Sequence, residues 1–296
     1  NGFAITYLAH DEKQNIDVFI KECALRQFTY REELSLSLCL QQGGADALDL
    51  FRKRQMEEAR LLYSLDHPRI VSVLRAFSAL NTVYTVMPCL SGAFLDRAVE
   101  YQPALRCEEH LLPLLKKVLE ALHHLHQEGV MHLALKPANI FLTEKAEPVL
   151  FDFTEAAAAM NPELYCVVES PGYTATEQLH SGGNVGPWTD IYALGATMYH
   201  LITGEHPMRS VDRQCGEDNA PHLFKRPDLQ RRYSTGFLRS IDKAFSPFAE
   251  ERWQSAREWL QALTEEEAPP FVQEIIDLPL TTNKEPDAES SSFVLP

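Results

Sequence analysis

The stretch VMHLALKPANIFL, residues 130–142, carries a polar residue, a lysine and an asparagine at short fixed spacing: His132, Lys136 and Asn139. A DF pair, Asp152 and Phe153, follows in the apolar run PVLFDF. Phosphoryl transfer requires a layout of this kind. One arm positions a hydroxyl nucleophile, while carboxylate and amide oxygens hold magnesium on the phosphates.

Such residues need elements to hold them. FAITYLA (residues 3–9) and DVFIKE (residues 17–22) alternate apolar and polar positions around a polar HDEKQN turn, which predicts a β-hairpin. A long connection leads into FRKRQMEEARLLYSL (residues 51–65), where Met56, Ala59, Leu61, Leu62 and Leu65 form a helical apolar stripe stopped by Asp66, His67 and Pro68. Strand-like IVSVLRAF and TVYTVMPCL come next. From Glu109 the pattern turns helical: residues 111–129 have helical periodicity and a glycine stop, and two short strands then flank NIFL and PVLFDF. The segment at residues 189–204 is apolar almost all round, as a helix buried at the centre of a lobe would be. Strands first and helices later predict an α+β chain, with a small β-rich lobe at residues 1–90 and a larger helical lobe at 91–264. An acidic, Pro- and Ser-rich tail at 265–296 has too little apolar material to fold alone.

The whole chain narrows the function classes. Its 296 residues are 45% hydrophobic, enough for a sizeable core. Lys and Arg total 27 against 42 Asp and Glu, a net charge of −15, so the overall field repels nucleic acid and anionic membrane surfaces. Cys23, Cys39, Cys89, Cys107, Cys166 and Cys215 are scattered without a CxxC pair, which fits reduced thiols in a cytoplasmic protein. No apolar run is long enough for a membrane helix. The cluster His123, His124 and His126 is assigned to packing and surface roles rather than to a metal.

Up to about residue 263 the chain resembles the eukaryotic-like serine/threonine protein kinases of bacteria. The motifs that carry the likeness are VFIKE, MEEARLL, VMPCL, HLALKPAN, DFT, SPGYTATEQ and GPWTDIYALG, in that order. The resemblance implies a bilobal fold, ATP and Mg2+ (or Mn2+) as cofactors, and a protein substrate or partner. Lys21 would contact the α and β phosphates and Glu58 would pair with that lysine. Met87 would be the gatekeeper, with the backbones of Pro88 and Leu90 facing adenine. Proline at 88 removes an N–H but keeps the carbonyl that adenine's amino group needs. Asn139 and Asp152 match the magnesium ligands, and Lys136 the lysine that steadies the transferred phosphoryl group. Glu177 would pair with Arg252, Asp190 would hold the catalytic-loop backbone, and Ser170 keeps the hydroxyl typical of serine/threonine kinases. The lengthened segment before the Glu58 helix also belongs to the subgroup most resembled.

The departures bear most on function. HLA stands where the family has HRD, so Leu133 replaces an arginine and Ala134 replaces the aspartate that accepts the substrate's proton. Thr154, averse to positive φ, replaces the glycine of DFG, which predicts a segment that does not flip freely. NGFA replaces GGFG in the phosphate loop: Gly2 is kept, Ala4 is not, and the strand before it is absent from this chain, so backbone cradling of phosphates weakens. With Leu133 in place of arginine, a phosphate on the activation segment loses its usual partner. These features favour a pseudokinase that binds Mg-ATP and serves as a signalling or scaffold module with strongly reduced transfer. Two alternatives stay open: an active but slow serine/threonine kinase, or one with its base replaced, and a nucleotide-free structural interaction domain.

Overall fold

Alternating residues at the start of the chain form β1 (Ala4–Asp11) and β2 (Ile16–Cys23), paired antiparallel with Thr6 opposite Lys21. The turn between them closes because the Asp11 carboxylate accepts the Lys13 amide at 2.9 Å, and Asn15 takes the left-handed φ of 53° that asparagine tolerates. The computed structural model describes residues 4–41, 44–161, 163–164, 168–180, 182–215 and 222–265. Gly2 and the expected tail beyond Glu265 lie outside them.

The long connection is not featureless. It holds a small antiparallel hairpin, β3 (Thr29–Arg31) and β4 (Leu38–Leu40), and then the helix α1 (Ala45–Ser64). The apolar stripe placed the start of this helix at residue 51, six positions too late. Its first turns bury Leu48 in a satellite core with Cys23, Ala24, Leu25, Leu38 and Val83, separate from the stripe that faces the main core. Gly44, at φ 109°, breaks the chain just before the helix.

Glu22 anchors the hairpin. It sits on the face of β2 opposite Lys21, fully buried, where it accepts Tyr7 Oη at 2.7 Å and Tyr84 Oη at 2.6 Å and pairs with Arg31 of β3. Burial opposes ionisation of its carboxyl, but the two hydroxyls and the guanidinium outweigh that and hold it below the usual range.

The next strands, β5 (Arg75–Ala79) and β6 (Thr82–Pro88), complete a four-stranded sheet in the order β1-β2-β6-β5. The strand expected over residues 70–77 begins only at Arg75. Ile70 instead makes an isolated parallel bridge to Leu150, tying the sheet's neighbourhood to the helical part of the chain. There follow β7 (Gly92–Phe94), α2 (Leu95–Tyr101), α3 (Glu108–Gln127), β8 (Ile140–Thr143), β9 (Pro148–Leu150), α4 (Thr154–Ala159) and α5 (Pro187–Thr203). After these come α6 (Ser210–Gln214), α7 (Pro227–Gln230), α8 (Thr235–Ala244) and α9 (Ala256–Glu265). Strands β7, β8 and β9 form a second small sheet, in which β8 holds the IFL of NIFL and β9 leads into the DF segment.

Two helices organise this larger lobe. Leu111, Leu115, Leu119 and Leu122 of α3 are buried at helical spacing, and Gly129 ends the run at φ 73°. Every residue of α5 from Thr189 to Met198 is buried, so the helix has no solvent face over that span. The architecture is a β-sheet lobe followed by a helical lobe, the bilobal arrangement that the resemblance implies.

Replacing Glu22 with alanine strips one acceptor from three donors at once. Glu22→Ala is expected to cost about 3 kcal/mol of stability and to expose Arg26 and Arg31 to limited tryptic cleavage. Unchanged cleavage would mean that the satellite core alone holds the hairpin.

Candidate functional site

The two-residue period of β2 puts Phe19 and Lys21 on one face, paired with Met87 and Thr85 of β6. With Thr6 of β1 they roof a cleft of about 330 Å³, floored by Ala138, Asn139, Phe141, Phe151 and Asp152. One end is apolar and the other gathers Lys21, Glu58, Asn139 and Asp152, a division suited to a flat base with an anionic tail. Met87 is 7% exposed at the back of the cleft. Pro88 ends β6 opposite Val18, and Leu90, in the link to β7, packs against the main core.

At the polar end, Lys21 Nζ donates to Glu58 Oε2 at 2.7 Å. The other oxygen of Glu58 accepts the Phe153 amide at 3.0 Å, so one carboxylate joins β2, α1 and the DF segment. Gln55, one turn from Glu58, donates its amide to the Lys21 carbonyl at 3.0 Å and fixes the strand against the helix. Burial opposes the Lys21 ammonium, but Glu58 and Asp152 outweigh it and raise its pKa. Burial likewise opposes the Asp152 carboxylate, yet Lys21, the Thr154 hydroxyl and Lys136 hold its pKa below the usual value.

Thr154 was expected to stiffen the segment by refusing positive φ. The positive φ falls instead on Asp152, at 64°, and Thr154 opens α4 with its hydroxyl donating to Asp152 Oδ1 at 2.9 Å. The residue that replaces glycine thus fixes the carboxylate beside it.

Asp190, fully buried on α5, accepts the backbone amides of His132 and Leu133, each at 2.8 Å. His126 Nε2 lies 2.9 Å from the same carboxylate, so this histidine of α3 helps hold the loop rather than merely packing at the surface. Burial lowers the pKa of His132 despite Asp190 and Asp152, and its ring rests 4.5 Å from that of Phe153. Fully buried, the ring also accepts the Ala134 amide on Nδ1 at 3.3 Å, so it braces the loop from within. Asn139 Nδ2 donates to the Ala134 carbonyl at 2.7 Å, which leaves the amide oxygen as the group able to meet a cation. Lys136 Nζ reaches Ser170 Oγ at 2.9 Å, and Ala134 contributes only a methyl group beside them, on the wall shared with Asp152. Glu177 pairs with Arg252 at 2.7 Å, with the guanidinium fully buried.

The structure therefore brings Lys21, Glu58, Met87, Ala134, Lys136, Asn139 and Asp152 to one cleft and its adjoining wall. Sequence reasoning missed Gln55 and the pair Arg54–Glu155, at 2.6 Å, between α1 and α4. The run of four alanines after Glu155 was the available signal for α4, since alanine has the highest helix propensity.

Asp190→Asn is expected to cost about 3 kcal/mol at neutral pH, because the charged acceptor of two buried backbone amides is lost. The Asp190 carboxyl is held below its ordinary 3.8, with His126 and the loop amides outweighing burial. Its stabilisation is complete above that ordinary value and is lost as pH falls through the depressed folded value. Denaturant titrations of wild type and variant should differ at neutral pH and converge in acid.

No helix among the described residues is long and apolar enough to cross a membrane. The sequence profile described as protein kinase domain matches residues 6–274. Sperm motility kinase 2B of Mus musculus is 29% identical over 181 residues, 58% of this chain and 37% of that protein. Serine/threonine-protein kinase PknD of Chlamydia trachomatis serovar L2b is 30% identical over 243 residues, 70% of this chain and 24% of that protein. The match thus spans only 24% to 37% of the length of these curated relatives. The solved structure described as PpkA-294 apo form has a TM-score of 0.79 at 32% identity and covers 89% of this chain and 92% of its own. With that profile spanning most of its length and with a bacterial serine/threonine kinase among its relatives, the chain belongs to the protein kinase domain family.

Proposed function

We infer that this chain binds Mg-ATP in the cleft and transfers phosphate to proteins slowly or not at all, acting as a signalling or scaffold module. The observation that carries this reading is the assembled Lys21–Glu58 pair beside Asp152 and Lys136, set against a methyl group at Ala134. The groups that place a nucleotide are in order, and the group that would take the acceptor's proton is not there.

Each residue has a stated part. The apolar end of the cleft, with Phe19, Met87 and Phe141, takes the adenine ring. Lys21, charged and held by Glu58, takes the α and β phosphates. Asp152 and the oxygen of Asn139 suit a hard cation, because one is an ionised carboxylate and the other an amide oriented by its bond to Ala134. Magnesium, when bound there, neutralises charge on the phosphates. Lys136 steadies the outermost phosphoryl group and, with Ser170, closes the acceptor side.

A missing general base is worth about 10²- to 10⁴-fold, or roughly 3 to 5 kcal/mol. Transfer relies mainly on positioning and charge neutralisation, so the slow-kinase reading keeps support from the same four residues, Lys21, Lys136, Asn139 and Asp152.

The test is radiolabelled γ-phosphate transfer run beside Mg-ATP-dependent melting on the chain, on Ala134→Asp and on Asp152→Ala. Saturating Mg-ATP should raise Tm by roughly 5 °C in the chain, with negligible incorporation, and Ala134→Asp should increase incorporation by at least about 100-fold. Metal-dependent incorporation by the chain that Asp152→Ala abolishes would favour the slow kinase. No melting shift with any nucleotide would overturn the binding reading.

A further inference from the structure

Helix α4 is pinned to α1 by more than contact. Arg54, fully buried on α1, donates to Glu155 at 2.6 Å, and Glu155 is the second residue of α4. One turn further along α1, Glu58 accepts the Phe153 amide and holds Lys21. The two ties fall at positions i and i+4 of one helix, so they share a face. The chain they grip runs from Phe153 to Glu155, and Thr154 between them holds Asp152.

We propose that the Arg54–Glu155 pair is a built-in latch that keeps α1 in the position where Glu58 meets Lys21, making the charged end of the cleft independent of any added phosphate. Arg54 and Glu155 are positioning residues: neither takes part in the Lys21–Glu58 bond, and both fix the helix and segment that make it. Leu133 removes the cation with which the catalytic loop of related chains would grip a phosphorylated segment. Here an internal carboxylate, already facing a buried guanidinium, does the gripping from the other side. Burial raises the pKa of Glu155, and Arg54 opposes that rise.

This latch deepens the nucleotide-binding reading and rests on it for the affinity part of its test. The experiment is hydrogen exchange of the α1 amides in the nucleotide-free protein, run beside titration with a fluorescent ATP analogue and magnesium. Glu155→Gln keeps shape and removes charge. It should speed exchange across Ala45–Ser64 at least tenfold and weaken analogue binding at least tenfold. Arg60→Gln, which removes an exposed pair with Glu57 on the same helix, should change neither. If Glu155→Gln does not fold, Arg54→Lys keeps the charge with a shorter reach and should move both readouts in the same direction.

Unchanged exchange in a folded variant overturns the latch. Faster exchange with unchanged affinity leaves a pair that is structural only, and overturns its positioning role. If the parent chain does not bind the analogue, the nucleotide reading falls, and exchange alone decides whether α1 is latched.

Discussion

The carboxylate of Glu58 is the joint on which the site depends. One oxygen holds the Lys21 ammonium and the other holds the backbone of Phe153, so a single buried side chain sets the distance between sheet, helix and DF segment. Both donors compensate the removal of this carboxylate from water. Gln55 and Arg54 extend the same helix face, the first toward β2 and the second toward α4. Position along one helix thereby becomes position of Lys21 and of the segment that carries Asp152.

The balance of charge follows from that joint. Two ammonium groups, Lys21 and Lys136, share one wall with the carboxylates of Glu58, Asp152 and Glu155, the last of them paired with Arg54, in surroundings that screen poorly. Asp152 stays ionised against burial because both lysines and the Thr154 hydroxyl favour its charged form. On the far side, Asp190 does for the catalytic loop what Glu58 does for the cleft, gathering two backbone amides and the His126 ring on one buried acid.

The substitutions that depart from the family differ in consequence. Thr154 sits in order within its surroundings: the positive φ is on Asp152, and the Thr154 hydroxyl donates to that residue's carboxylate. Leu133 also adopts positive φ, at 63°, with its amide on Asp190 and its carbonyl accepting from Gln178. The loop's backbone path is therefore held by bonds to the main chain of residue 133 rather than to its side chain. Ala134 is different, since the proton-accepting group belonged to the side chain itself.

Much of this was legible in the sequence because it is local. The two-residue period of DVFIKE placed Lys21 on a strand, the apolar stripe placed Glu58 on a helix, and the spacing within HLALKPAN and DFT ordered the cation, amide and carboxylate. What the sequence could not decide involves partners far apart along the chain. Arg54 meets Glu155 across 101 residues and His126 meets Asp190 across 64, and nothing in the periodicity of either segment announces the meeting. Ionisation states belong to the same class: the charge on Asp152 and the neutrality of His132 are set by what surrounds them in the folded chain. Residue order determined which side chains are available, and that a methyl group stands at position 134. Only packing decided that the charged groups meet, because burial and pairing are properties of neighbours in space.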